Sequence, residues 1–396
     1  MRTEPQIGPR FWPGFLKTLP PLRNVTYVVF FAAGMISALW AGLIPSLKTA
    51  LNVDEGVLGT MLLGLGIGSL VMMPVTGRLV ARWGCRTVLR TSLPLMAVFI
   101  VTLAFTTNVW LAAALFGGAL GVTDVSMNVQ SVVAEKREKR AILSGFHAAY
   151  SFGGMSGGFF FAALVGIGLP VWAAVVSGAA LMVAVATAWS PWSLGPGETE
   201  RDGAETENVR ERSSKKPLIL YVTAFFCFAF FLTEGSLLDW SALYLRDLKN
   251  ADTAAAALGY SVFSAAMTIG RTFGDRIIAR FGRRRVFLTG TLCAILGYAV
   301  LLAIPGLLSA YAALFLMGIG CSNLVPIAFW LAGNTPGVSV SKGLSFVVST
   351  GYAGILAGPA AIGFVARHTG LDTAFLMVAL MTAAVFAMSL KVFPKD

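Results

Sequence analysis

Long apolar runs with almost no charge follow one another along nearly the whole chain. A helix that crosses about 30 Å of hydrocarbon needs about 20 apolar residues, and each run approaches or exceeds that length. The pattern therefore predicts an all-α membrane protein of about twelve transmembrane helices. The predicted spans cover residues 25–47, 56–80, 88–105, 110–133, 142–166 and 171–189, then 218–244, 255–278, 286–304, 308–332, 344–365 and 374–392.

A polar stretch in the middle of the chain divides these spans into two groups of six. Residues 190–216 are rich in Glu, Arg, Gly and Ser. They predict a cytoplasmic linker between an N-terminal half at 25–189 and a C-terminal half at 217–396, with a cytoplasmic N-terminal segment at 1–24.

The two halves are related in sequence, which predicts two six-helix repeats. At a shift of 198 residues, segment 78–88 matches segment 276–286 at three Arg positions and at single Ala, Gly and Val positions. At a shift of 200, Gly154 and Gly158 in the fifth span meet Gly354 and Gly358 in the eleventh. Parallel repeats with a binding site between them near the midplane are a recognised transporter plan.

Basic residues gather in alternate loops, which predicts the orientation in the membrane. Cytoplasmic loops carry an excess of Lys and Arg. The loops after the second, fourth and eighth spans are strongly basic, so we expect both termini and the linker to be cytoplasmic. The basic residues of these loops are Arg78, Arg82, Arg86, Arg90, Lys136, Arg137, Lys139, Arg140, Arg276, Arg280, Arg283, Arg284 and Arg285.

Composition excludes several classes of protein. Hydrophobic residues make up 56% of the chain and charged residues 12%, against roughly a quarter charged in soluble domains. No nucleophile, metal or phosphate-binding pattern stands outside the spans, so we predict no enzymatic activity.

The net charge of +11 is spread over separate loops, so we expect no nucleic-acid partner. The 4 cysteines lack the paired spacing of a metal or redox motif. We expect no metal, no cofactor and a monomer.

The loop after the second span resembles a signature of the major facilitator superfamily, and the loop after the eighth span carries a second copy. Ala81 stands where the signature has an Asp, and Cys85 stands where it has a basic residue. The resemblance covers essentially the whole chain and implies that these loops gate the cytoplasmic side. The candidate gate residues are Gly77, Arg82, Gly84 and Arg86 in the first copy, and Asp275, Arg280, Gly282 and Arg284 in the second.

Three further runs narrow the resemblance. Residues 146–151, 234–240 and 350–359 resemble the YbjJ-type bacterial inner-membrane carriers. This resemblance implies a location in the bacterial cytoplasmic membrane and implies no particular cargo.

Ionisable residues inside the spans are the first candidates for function, because a charged side chain near the bilayer centre costs on the order of 2.5–3.5 kcal/mol on insertion scales. Asp124 and Asn128 are one helical turn apart in the fourth span, and His147 and Tyr150 form a similar turn in the fifth. Antiparallel neighbours would bring the four together. Asp124 would exchange a proton that His147 relays; alternatively, the two side chains only satisfy each other.

The seventh span carries Glu234 near its middle and Asp239 closer to its outer end. Five residues place them about 140° apart around a helix, so they are not a paired-carboxylate site. Glu234 is the better candidate for proton coupling or substrate contact. Asp239 has an alternative role in an ion pair with Arg246 or Lys249.

Other polar and aromatic residues have two interpretations each. Arg271 precedes Asp275 by four residues, which favours a guanidinium that snorkels to the interface beside its partner, over one that binds an anionic solute. For Trp40 and Trp240, an aromatic belt or core packing is favoured over a surface that stacks on a solute. Asn323 either faces the cavity or is satisfied in a kinked helix.

Glycines indicate where helices approach closely and bend, as rocking halves require. The candidate hinges are Gly154, Gly158, Gly354, Gly358 and Pro359. Their spacing in the fifth span resembles that of proton-driven antiporters, but Phe159 replaces a Pro and Gly117 stands where those proteins have an Arg. The direction of transport stays open.

The sequence therefore predicts a secondary active transporter that moves a small solute across the cytoplasmic membrane by alternating access, coupled to protons. Its expected partners are the solute, the proton and the lipid bilayer. Two alternatives remain: a multidrug/proton antiporter, and a transporter-like membrane sensor that binds without transport.

Overall fold

A computed structural model describes residues 21–105, 108–138, 142–198, 218–335, 338 and 340–393, and every regular element in these ranges is helical. Eleven helical segments are long and apolar enough to cross a membrane, and one of them has the length of two spans. The helices are α1 Leu22–Leu51, α2 Glu55–Phe105, α3 Val109–Glu138, α4 Leu143–Gly166, α5 Val171–Trp189, α6 Leu218–Lys249, α7 Thr253–Phe281, α8 Arg283–Ala303, α9 Leu307–Cys321, α10 Leu324–Gly333, α11 Val340–Thr369 and α12 Leu371–Val392.

The second and third predicted spans form one element, α2, that turns sharply at Gly84. Gly84 has φ 72° and ψ 161°, a conformation that is essentially restricted to glycine. One residue therefore replaces the predicted loop between the spans. Gly282, which matches Gly84 in the repeat, has φ 80° and ψ 154° between α7 and α8. The two loop signatures thus build the same abrupt turn.

The tenth predicted span is broken into α9 and α10 around Ser322 and Asn323. The Asn323 side chain donates a hydrogen bond to the Gly270 carbonyl of α7 at 3.0 Å. This contact agrees with the satisfied asparagine of a kinked helix.

Small residues allow close packing within and between the halves. Gly34 of α1 faces the Tyr150 carbonyl of α4 so closely that a Cβ atom would overlap it. Gly154 and Gly158 face Ser264 and Ser261 across the halves, where α4 packs on α7. The matching glycines of α11 instead pack on α6 within the second half, and Pro359 lies in α11 beside Gly59 of α2. The hinge role of these residues stays a prediction.

The beginning of the predicted linker folds back onto the first half. After a 3₁₀ turn at Ser190–Trp192, the backbone amide and Nε of Arg86 donate to the Leu194 and Ser193 carbonyls at 2.7 and 3.0 Å. Leu194 is 1% exposed. Arg86 therefore holds this segment, whereas Arg82 and Arg280 lie over the neighbouring Trp83 and Phe281 rings.

The described residues of the second-half signature make fewer such contacts. Arg284 Nε is buried without a hydrogen-bond partner among the described residues, and the Asp275 side chain lies outside the described atoms. The gating role of the two loops stays a prediction.

We predict that Gly84→Ala lowers the thermal stability of the purified protein. A Cβ at this position would meet the Gly195 carbonyl carbon and Pro196 nitrogen, and the backbone conformation itself costs a non-glycine residue about 1–3 kcal/mol. The measurement is the apparent melting temperature in detergent.

The matched control is Gly77→Ala in the same helix, because no atom lies within 4 Å of a Cβ there. Equal melting temperatures for the two variants would contradict the steric role of Gly84.

Candidate functional site

An arginine at the centre of the bundle connects three helical regions. The Arg271 Nη2 atom of α7 lies 3.2 Å from Glu234 Oε1 of α6. Its Nη1 donates to Ser151 Oγ of α4 at 2.9 Å, and its Nε donates to the Ser322 carbonyl at the break after α9 at 3.4 Å. The side chains of Arg271 and Glu234 are only 13% and 21% exposed. The pair therefore lies inside the bundle, and Ser151 extends it to the first half.

The snorkelling interpretation of Arg271 is wrong. The spacing to Asp275 permits a pair on one helix face, but the guanidinium turns inward, where a carboxylate of α6 and a hydroxyl of α4 lie within reach. The sequence shows which residues lie four apart on one helix, but it does not show which residues of different helices meet.

A second polar group joins α3 of the first half to α11 of the second. Asp124 Oδ2 accepts a hydrogen bond from the Tyr352 hydroxyl at 2.7 Å, and Asp124 Oδ1 accepts one from Asn128 Nδ2 at 3.2 Å. The Tyr352 ring stacks on Phe231 with centroids 5.7 Å apart and an interplanar angle of 16°. Asp124 and Asn128 share a helix face as expected, and the partner from the opposite half was not predicted.

The predicted four-residue cluster is divided. Tyr150 shares a 2.8 Å hydrogen bond with Ser37 of α1. His147 contacts the Phe30 ring edge-on at 5.4 Å, and its side chain is exposed at the surface of the helices. The idea that Asp124 and His147 satisfy each other is wrong, because the described partners of Asp124 are Tyr352 and Asn128, while His147 lies against Phe30.

The third interior acid is fully enclosed. Trp40 Nε1 of α1 donates to Asp239 Oδ1 of α6 at 3.0 Å, and the two residues are 2% and 8% exposed. This bond crosses between the halves, so Trp40 does not belong to an aromatic belt. Trp240 is 0% exposed, and its indole nitrogen has no hydrogen-bond partner within the described chain.

The proposed ion pair of Asp239 is also wrong. Arg246 binds Asp247 at 2.7 Å and the Pro45 carbonyl, while Lys249 donates to the Ile304 carbonyl at 2.9 Å. The partners of Arg246 and Lys249 lie at the helix ends, whereas Asp239 lies two turns deeper.

Charged residues close the bundle at one end, which we call the sealed end. Lys48 contacts Glu55 at 2.6 Å and Asp247 of the second half at 3.1 Å. Arg367 pairs across the halves with Asp54 at 3.3 Å. Both ion pairs between described residues of the two halves lie here. The opposite end, which carries the two loop signatures, is called the basic end.

No group of three or more acidic, histidine or cysteine side chains among the described residues could hold a metal ion. The arrangement is that of a helical membrane transporter: polar groups lie inside a two-part bundle, between halves that ion pairs join at one end.

Comparison with known proteins identifies the family. The family model described as Major Facilitator Superfamily matches residues 26–280 and 240–396. An uncharacterised MFS-type transporter of Yersinia pestis is 38% identical over 365 residues, 91% of this chain and 93% of that protein. The membrane protein MosC of Rhizobium meliloti is 31% identical over 352 residues, 88% of this chain and 84% of that protein.

The fold agrees with this assignment. The crystal structure of a mutant of the nucleoside transporter NupG superposes with a TM-score of 0.75 at 14% identity, over 95% of this chain and all of that one. The chain therefore belongs to the major facilitator superfamily, a family of multi-pass membrane transporters and not of enzymes. The resemblance to the YbjJ-type branch stays a prediction.

We predict that Arg271→Gln and Glu234→Gln each lower thermal stability, because each leaves one charge unpaired inside the bundle. Loss of one partner of a fully buried pair costs about 3–5 kcal/mol, and the partial exposure here reduces that cost. The double variant removes both charges, so we expect it to recover part of the loss. A double-mutant cycle on apparent melting temperatures measures the coupling.

The exposed pair Arg367 and Asp54 is the control, because such pairs contribute about 0–1 kcal/mol. Additive losses at Arg271 and Glu234 would show that the two residues do not act as a pair.

Proposed function

We propose that this chain is a secondary active transporter that moves a small polar or amphipathic solute across the cytoplasmic membrane, driven by protons. The observation that supports this function best is the contact of Arg271 with Glu234 and Ser151. In this contact, an acid and a base of the second half lie against a hydroxyl of the first half, inside the bundle. Solute and coupling-ion sites of transporters lie near the midplane, between the repeats.

Alternating access is supported by the unequal ends of the bundle. The ion pairs that join described residues of the two halves lie at the sealed end, and α1 and α6 also pack together. The basic end faces the cytoplasm according to the positive-inside rule. On this proposal, the ion pairs of the sealed end close the carrier on the side opposite the cytoplasm. Rocking of the halves would break these ion pairs and separate the sealed end.

Proton coupling is supported by the three interior acids. Asp124, Glu234 and Asp239 each bind a partner on another helix. The partners of Asp124 and Asp239 belong to the opposite half, and the Glu234 pair reaches the opposite half through Ser151. A change in the charge of an acid would therefore change the contact between the halves.

We expect a pH gradient to drive solute flux in proteoliposomes, and Glu234→Gln or Asp124→Asn to reduce that flux at least tenfold. The solute for the assay is first found as a metabolite or drug that raises the melting temperature of the purified protein, since a ligand of the folded state stabilises it.

Glu198→Gln serves as the control, because Glu198 is an acid at the basic end with a side chain 42% exposed. Flux that ignores the gradient, and that both interior variants leave unchanged, would refute proton coupling. Efflux of many unrelated dyes would favour the multidrug antiporter, and saturable binding without counterflow would favour the sensor.

A further inference from the structure

The interior of the bundle holds more acids than bases. Asp124, Glu234 and Asp239 accept hydrogen bonds there, and Arg271 is the cation that contacts one of these acids among the described residues. One guanidinium cannot compensate three carboxylates. Because charges interact strongly where water is scarce, the interior favours a ligand that brings positive charge.

Arg271 is poorly placed to receive an anion. Its Nη2, Nη1 and Nε atoms already contact Glu234, Ser151 and the Ser322 carbonyl. An anionic solute would have to share the guanidinium with Glu234 at close range. The repulsion between two carboxylates in a confined space opposes that arrangement.

Asp124 differs from Glu234 because both of its side-chain partners are neutral. Tyr352 and Asn128 each donate one hydrogen bond to it. An ionised carboxylate offers about four acceptor positions, so capacity for a further donor remains. The residue is partly exposed, unlike Asp239. The stacked rings of Tyr352 and Phe231 stand beside it, and aromatic rings also attract cations.

The titratable groups near Asp124 do not supply a cation. Tyr352 approaches from α11, and Tyr150 approaches from α4 with its hydroxyl on Ser37. His147, also on α4, contacts the Phe30 ring. Arg271, on α7 across the bundle, pairs with Glu234. Helices α1 and α2 contribute no ion pair to Asp124 within the described ranges.

We propose that Asp124 binds a single positive charge, which is a proton in the empty carrier and the ammonium group of the solute in the loaded carrier. The cargo is then a small organic amine and not an organic acid. When the ammonium group binds, the carboxyl proton passes to water, and Tyr352 keeps its hydrogen bond. This inference rests on the proposed transport function for the identity of the cargo, but the charge bound at Asp124 can be measured without transport.

The first experiment uses purified protein with no added solute. Infrared difference spectra between acidic and alkaline pH report the C=O stretch of protonated carboxyl groups. We expect one such band to be missing in Asp124→Asn and retained in Glu234→Gln and Asp239→Asn. Asp124→Glu should retain a carboxyl band, which separates loss of the proton site from misfolding. Spectra of the wild type and Asp124→Asn that agree at every pH would overturn the proposal.

The second experiment compares probes of similar shape and different charge. Glucosamine, glucose and glucuronate form one set, and tyramine and 4-hydroxyphenylacetate form another. We expect an amine to raise the melting temperature, and its neutral or anionic counterparts to leave it unchanged. The apparent affinity for that amine should be at least tenfold weaker in Asp124→Asn. The Asp124 carboxyl band should disappear when the amine binds. If a carboxylate probe stabilises the wild type but not Arg271→Gln, the proposal is overturned. If neither amine stabilises the protein, the result counts against an amine cargo.

These outcomes are separate from the test of transport. If the Asp124 band and amine binding are present while proteoliposomes show no flux, the proposed function fails and the charge site stands. Flux of an amine that Asp124→Asn leaves unchanged would reject the site and retain the transporter.

Discussion

The high cost of charge in a medium with little water is the constraint on which the rest of this structure depends. It requires each interior acid to find a hydrogen-bond donor, and the helix that carries the acid offers few. Asp239 finds its donor on α1, Glu234 on α7 and Asp124 on α11 as well as on its own helix. The need for partners therefore ties helices together where apolar packing alone would not specify which residues meet.

Asp124 of the first half and Glu234 of the second half meet this constraint differently, although the two halves contain matching segments. In the first half, Asp124 is held by uncharged donors, one of which belongs to the opposite half. In the second half, Glu234 is held by a cation of the same half. The pseudo-symmetry of the fold thus stops at the polar residues. The two halves share matching turns at Gly84 and Gly282, and their central side chains differ in charge.

Much of the fold could be predicted from periodicity and repetition, because span length and glycine turns are local properties. Gly84 and Gly282 match in sequence and adopt nearly the same backbone angles. The site was less predictable. Asp124, Glu234 and Asp239 were identified by their position in apolar spans, but Tyr352 is 228 residues from Asp124. Ser151 and Tyr352 lie in runs that resemble a carrier branch, but nothing in the sequence identified them as partners of Arg271 and Asp124, and nothing distinguished Ser37 from other serines of spanning helices.

Lys48 at the sealed end has a consequence for the environment of the protein. It bridges Glu55 and Asp247 with its own side chain 15% exposed, while the acids are 24% and 29% exposed. Attraction between groups that remain in contact with water weakens as ions accumulate, since the screening length falls from about 30 Å at 0.01 M salt to about 3 Å at 1 M. Salt in the compartment that this end faces is therefore expected to weaken the contact between the halves, so that any balance between closed and open forms would depend on ionic strength.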